Sequence, residues 1–261
     1  MIIKVETLKD IEQGISKLLD KDIKEIISDV EEFDYINNQD NFHEYVTQNK
    51  KHKIEEIYMC HLTRRFKGST NEILLPLNQL LVTENEFSEF LVSYGIEFKE
   101  ENGNLNLFFQ NKSIDLERYD ELTYDGVTRL KKRFKEDYCV NGLQFLYDVK
   151  NNSWSDYCSY LEVPELIRDL DEILKTGMSK AYQDRTEKYC ALCKVQIDEV
   201  IYDGRKIENT LKESGYIKKC IEFVYRYHKK SLPNNARLRI DDNCSIKVDK
   251  WIPEKGFRYV K

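Results

Sequence analysis

Apolar residues recur every three or four positions over residues 7–19 (Leu8, Ile11, Ile15, Leu18, Leu19) and 22–35 (Ile23, Ile26, Ile27, Val30). That period sets them on one face of an α-helix. The chain is therefore expected to open with two amphipathic helices and a third from about 40 to 50. The pattern then changes. Residues 54–62 read as a strand, followed by a polar, glycine-containing loop over 63–70. Thr83 with Glu86 has the form of a capping box for a helix that stops near Gly95. Asn102-Gly103, flanked by Ile96 to Lys99 and Leu105 to Phe109, predicts a hairpin, because a two-residue turn of this kind needs positive φ at both positions. Later strands are expected at 139–149, in part of 189–202, at 237–240 and at 257–260. Helices are expected at 125–135, 164–175 and 206–228.

Interleaved helices and strands with a hairpin among them predict an α+β protein, its mixed or antiparallel sheet flanked by helices. The division expected is an N-terminal helical extension over 1–50 and an α+β body over 51–261. A chain of 261 residues, 41% hydrophobic and 34% charged, can bury a core without disulfides or metals. Only 10 glycines and 4 prolines leave little material for a long linker. No apolar run approaches the ~20 residues of a membrane-spanning helix, and the N-terminus lacks the basic, apolar and small-residue parts of a secretory signal. A cytoplasmic location without membrane partners is expected. The seven cysteines, an odd number set mostly in apolar runs, read as reduced thiols acting as small hydrophobes. A net charge of -6 offers nucleic acid no overall attraction, and the basic run Arg129 to Arg133 reads as the solvated face of a helix with Leu130 and Phe134 turned inward.

Among residues with chemical capability, His61 is the one histidine that follows an apolar strand; its plain structural role would be a bond to a neighbouring carbonyl. Cys190 and Cys193 have zinc-knuckle spacing, but on a strand they would point to opposite faces, and no second pair completes four ligands, so no metal is expected. The sequence contains no Gly-rich dinucleotide fingerprint, Walker loop, zincin or hydrolase motif. Asp241-Asp242 reads as a hairpin turn.

Three segments carry a resemblance. The strand closing in His61-Leu62-Thr63, followed by the leucine-rich segment 74–81, resembles the first motif of the ADP-ribosyltransferase fold. Ser153-Trp154-Ser155-Asp156-Tyr157 is similar to the W-S-x-Y segment of a bacterial family linked to that fold. Trp251, Glu254 and Arg258 match the W-x-Y-E-x-E-W-R ending of the same family, whereas Pro253 replaces its tyrosine, Phe257 its second tryptophan, and Gly256 its second glutamate. The resemblance implies an enzyme acting on NAD, a toxin or phage-defence effector that modifies a protein or nucleic acid. It implies Glu254 and His61 as catalytic residues, with Glu254 stabilising the oxocarbenium-like ribose formed when nicotinamide departs. It further implies Thr63 on the ribose, Arg64 or Arg65 on the pyrophosphate, Tyr157 or Tyr160 stacked on nicotinamide, and Arg258 beside the cofactor. Structural alternatives stay open: Glu254 as a turn carboxylate after Pro253, and the tyrosines as ordinary packing. A second reading of the whole chain is a non-catalytic binding module, an inhibitor or antitoxin-like partner of host or phage origin. It would meet its target through the N-terminal amphipathic helices, which otherwise cap the core.

Overall fold

The computed structural model describes residues 1–32, 39–119, 125–136, 139–151, 162–202, 209–231, 235–240 and 244–253. They form an α+β fold of ten helices, a seven-stranded antiparallel sheet and a separate three-stranded sheet. The spine of the larger sheet is a pair of long strands, β1 (Glu56–Phe66) and β7 (Thr186–Gln196), in register from Glu56↔Gln196 to Phe66↔Thr186. Beyond β7 lie β10 (Ile246–Pro253) and the short edge strand β2 (Ile73–Leu74). Beyond β1 lie β6 (Val140–Leu143), β9 (Arg237–Ile240) and β8 (Val200–Tyr202). Cys190, Ala191, Leu192 and Cys193 are all buried, so β7 is covered on both faces and shows a continuous apolar run instead of an alternating one.

Two hydrophobic cores flank this spine. The first lies between the sheet and α1 (Leu8–Leu19), α2 (Ile23–Glu32), α3 (Gln39–Asn49) and α10 (Asn209–His228). Phe145 stacks on Phe223 of α10 there, with ring centroids 4.2 Å apart. Ile11, Ile15, Leu18, Ile26 and Val46 of the N-terminal helices belong to this same core, so their apolar stripes are spent on this chain. A partner docking on those helices would have to use their polar faces. The second core gathers α4 (Leu77–Val82), α5 (Glu86–Val92), α6 (Asp125–Glu136), α8 (Glu165–Leu174) and α9 (Met178–Arg185) around the sheet β3 (Ile96–Glu101), β4 (Asn104–Phe109), β5 (Lys112–Ser113). Its first hairpin is the expected one, with Asn102 and Gly103 at φ 54 and 75. None of the described helices is long and apolar enough to cross a membrane.

Several expectations are corrected. β1 does not stop at Leu62; β7 supplies a partner for each residue as far as Phe66, whose ring packs 5.7 Å from Phe90 and 5.6 Å from Tyr182. Thr63, Arg64 and Arg65 are thus strand residues, not loop. The capping box is formed by Asn85 and Ser88, while Thr83 ends the preceding helix by donating its hydroxyl to Gln79 O. The amide of Asn85 is better placed because it also holds Leu80 O and Thr83 O, tying two helices together. Residues 139–149 are not one strand: Asn235 clasps the backbone of Phe145 through two 2.9 Å bonds, ending the ladder, and α7 (Leu146–Asn151) follows. Strand β10 and helix α9 went unanticipated; a bulge between Val248 and Lys250 breaks the alternation that would have announced β10. The strand expected at 257–260 lies outside the described residues.

Candidate functional site

On one face of the large sheet, His61 of β1 and Trp251 of β10 stand opposite the same residue of β7, Ala191. Directly paired residues share a face, so the imidazole, a methyl group and an indole form a row across three strands. The next row holds Thr63, Tyr189 and Pro253, and the row after it Arg65 and Glu187. Because Ala191 is small, the row is low in its middle, between two flat rings two strand spacings, roughly 10 Å, apart. Tyr189 meets Trp251 edge to face, with centroids 6.0 Å apart.

The imidazole is oriented where two strands part. β6 pairs with β1 at Cys60↔Leu143, and beyond that pair His61 Nδ1 bonds the carbonyl oxygen of Asn141 at 2.6 Å. A carbonyl only accepts, so Nδ1 carries the proton and Nε2 of the neutral ring is an acceptor with no partner among the described residues. Desolvation pushes the imidazole below its ordinary value, with the Asn141 bond pulling less strongly the other way, so the ring is neutral near pH 7. The plain structural role expected of His61, a bond to a neighbouring carbonyl, is therefore present, and it leaves the second nitrogen available. For stability the sign follows directly. The unfolded chain takes up this proton more readily than the folded one, so the contribution of His61 is intact above the ordinary value of 6.5 and is lost as pH falls below it. His61→Gln is expected to flatten the decline of urea midpoint just below pH 6.5; an unchanged slope would show that the imidazole is not desolvated.

Gly142 makes this parting of strands sterically feasible. A methyl group there would stand 2.4 Å from Cγ and 2.8 Å from Sδ of Met59. Gly142→Ala is expected to cost about 1–3 kcal/mol by overpacking and to displace the Asn141 carbonyl from His61. Chemical denaturation checks the cost, and Met59→Ala in the same chain should recover part of it. Independent, additive effects would show that the contact is not made.

The two neighbouring arginines have different work. Arg64 points to the opposite face of the strand and braces the junction of α9 with β7: Nε donates to Thr186 Oγ1 at 2.8 Å, and Nη2 to the carbonyls of Gln183 and Thr186 at 3.1 Å. Arg65 lies on the face of His61 and leans back over the indole, its Cζ 4.1 Å from the Trp251 centroid and 5.8 Å from that of Tyr189.

These groups line a cleft of 680 Å³ between the sheet and the second core, a size usual for small-molecule sites. Its walls include Asn141 and Cys139 of the β6 segment, Leu77 and Phe87 of the helices, and the ion pair of Arg133 with Glu165. The structure thus brings His61, Thr63, Arg64 and Arg65 together with Trp251, which sequence reasoning had matched to a motif without giving it a role. Tyr157, Tyr160, Glu254 and Arg258 lie outside the described residues. Asn141 and Gly142 were missed, since nothing local in the sequence tells which carbonyl a distant histidine will meet.

Elsewhere, Cys190 and Cys193 stand opposite Leu62 and Met59, on alternate faces of β7, and burial raises the Cys193 thiol to about 12. No group of three or more metal-ligating side chains occurs among the described residues. The basic run on α6 buries Leu130 and Phe134, while Arg129, Lys131 and Arg133 pair with Asp169, Glu117 and Glu165. Asp241 and Asp242 lie outside the described residues. Comparison of the chain with protein-family models, with curated proteins and with solved structures finds no match in any of the three.

Proposed function

We propose that the cleft is a nucleotide site and that the chain is an ADP-ribosyltransferase-like enzyme acting on NAD. One observation carries the reading: a neutral imidazole, its tautomer set by the Asn141 carbonyl, lines a cleft whose far wall is an indole in the same cross-strand row. The unshared Nε2 suits a sugar hydroxyl, which donates a hydrogen bond to it, and Thr63 two residues on adds a second hydroxyl contact on the same face. The ring of Trp251, braced edge to face by Tyr189, offers apolar area to a ligand that is part sugar and part aromatic base.

In this reading His61 and Thr63 hold the ribose while the carboxylate of Glu254, the residue after Pro253 in the sequence, stabilises the positive charge that builds as nicotinamide leaves. Tyr157 or Tyr160 would stack on the departing ring, and Arg258 would lie beside the cofactor. Arg64 has a structural duty at the α9–β7 junction, which leaves Arg65 for the pyrophosphate. The acceptor of the ADP-ribosyl group would be a protein or nucleic acid, as for a toxin or phage-defence effector. The test is release of nicotinamide from NAD by the purified chain. Turnover supports the proposal; binding of NAD without turnover, or neither, would favour the non-catalytic binding module.

A further inference from the structure

The carbonyl that orients His61 stands where β6 has left its ladder with β1. β6 pairs with β1 at Cys60↔Leu143, but with β9 along its whole length, from Val140↔Ile240 to Leu143↔Arg237. The position of the Asn141 carbonyl against the imidazole is therefore set from the β9 side. Backbone pairing there reaches Val140, and side chains carry the attachment one residue further. Arg239, directly opposite Asn141 on β9, donates from Nε to Cys139 Sγ at 3.1 Å, and the Cys139 thiol donates to Asn141 Oδ1 over 3.7 Å. Paired residues share a face of the sheet, and so do residues two apart along a strand, which is how these three side chains meet. A guanidinium N–H on sulfur is charge-assisted, and by drawing electron density from the thiol it strengthens an otherwise weak S–H donor. Cys139 is buried, so little water competes for its sulfur.

We propose that Arg239 and Cys139 are positioning residues for His61: their clasp on Asn141 holds its carbonyl against Nδ1 and so keeps the ring in the tautomer that turns an acceptor toward the cleft. Arg239 is not among the residues lining the cleft, so it works from behind the wall, through Cys139 and Asn141. Which imidazole nitrogen carries the proton is decided by the bond the other makes. If the carbonyl swings away, nothing selects Nδ1–H, and in part of the molecules Nε2 carries the proton and meets a hydroxyl as a second donor. The use made of that acceptor rests on the nucleotide reading of the cleft; the clasp and the tautomer do not.

Long-range proton–nitrogen NMR of the histidine rings tests it on the full chain without ligand, at pH about 8, where an imidazole is neutral. The His61 signals are those lost in His61→Gln. Three variants are compared with the wild type: Arg239→Met keeps the stem without a donor, Cys139→Val keeps the volume without a donor or acceptor, and Cys139→Ser keeps both. The wild type and Cys139→Ser are expected to show the pattern of a ring protonated on Nδ1; Arg239→Met and Cys139→Val should lose it for a mixture of the two tautomers. A merely structural role for the clasp would lower stability and leave the tautomer alone. His43 and His228, bonded to Ser214 and Glu12, should keep their signals and so report an intact fold, and one breaking variant that keeps them suffices. The Nδ1 pattern retained in both breaking variants, or lost in Cys139→Ser as in Cys139→Val, would overturn the proposal, as would a wild-type His61 protonated on Nε2. Unfolding of both breaking variants would make the clasp a determinant of the fold and overturn it too. A tautomer that moves as expected in a chain that does not cleave NAD would leave the clasp standing and remove the transferase; cleavage by a chain whose tautomer ignores the variants would do the reverse.

Discussion

Truncating Asp169 to alanine is expected to cost about 3 kcal/mol, the lower end of the range for breaking a buried ion pair. Asp169 on α8 has no solvent exposure, and its carboxylate receives two parallel bonds from Arg129 of α6, from Nε at 2.9 Å and from Nη2 at 2.8 Å. A third, longer contact comes from Arg168 Nε at 3.4 Å. Removing the carboxylate takes the charge partner from a guanidinium that is itself 38% exposed, and that access to water is why the upper end of the range is not expected. The loss should fall on the second core, because α6 and α8 bury Val127, Leu130, Ile167 and Leu170 there. Asp169→Asn keeps an acceptor and the shape, and should cost less than alanine. Urea denaturation of the three proteins decides the matter; equal midpoints for wild type and Asp169→Ala would mean that desolvation cancels the attraction.

On the proposed NAD-cleaving reading, Glu254→Gln should lower kcat by about 10²- to 10³-fold, the loss typical when one charge-stabilising group is removed from a reacting centre. The two side chains have nearly the same shape, so the exchange deletes charge while retaining an oxygen that can accept a bond from a ribose hydroxyl. KM should therefore move little while kcat and kcat/KM fall together, the pattern of an interaction made chiefly in the transition state. The thermal midpoint should stay that of the wild type. Unchanged turnover would transfer the role to one of the carboxylates that line the cleft, Glu84, Glu86 or Glu165.

Legibility followed the range of the forces involved. The amphipathic stripes of α1, α2, α6 and α8 were readable, because helix periodicity is local and a face either repeats every three or four residues or does not. The Asn102-Gly103 hairpin was readable because its turn needs positive φ at two adjacent residues. β10 was not, since its bulge shifts the alternation by one residue partway along. Nor was the end of β1: Thr63, Arg64 and Arg65 are extended because β7 pairs with them from more than 120 residues away, a contribution that overrides their polar character.

The site divides in the same way. His61 was noticeable as the one histidine after an apolar strand, and the neighbouring threonine and arginines came with it. Which arginine shares the face of His61 follows from strand parity once β1 is known to continue, and a loop at 63–70 concealed that parity.

The residues by themselves determined the fold class, the positions of the amphipathic helices, the first hairpin and the inventory of chemical groups, all of which depend on neighbours a few positions away. Tertiary structure alone decided that His61 shares a row with Trp251 across Ala191, that the Asn141 carbonyl sets its tautomer, and that Arg64 braces the α9–β7 junction while Arg65 shares the face of His61. Those relations are made by strand register and side-chain burial between segments some 80 to 190 positions apart, as separations such as His61 to Asn141 and to Trp251 require. A local pattern cannot encode them, because one residue's shift in pairing sends every side chain of a strand to the other face.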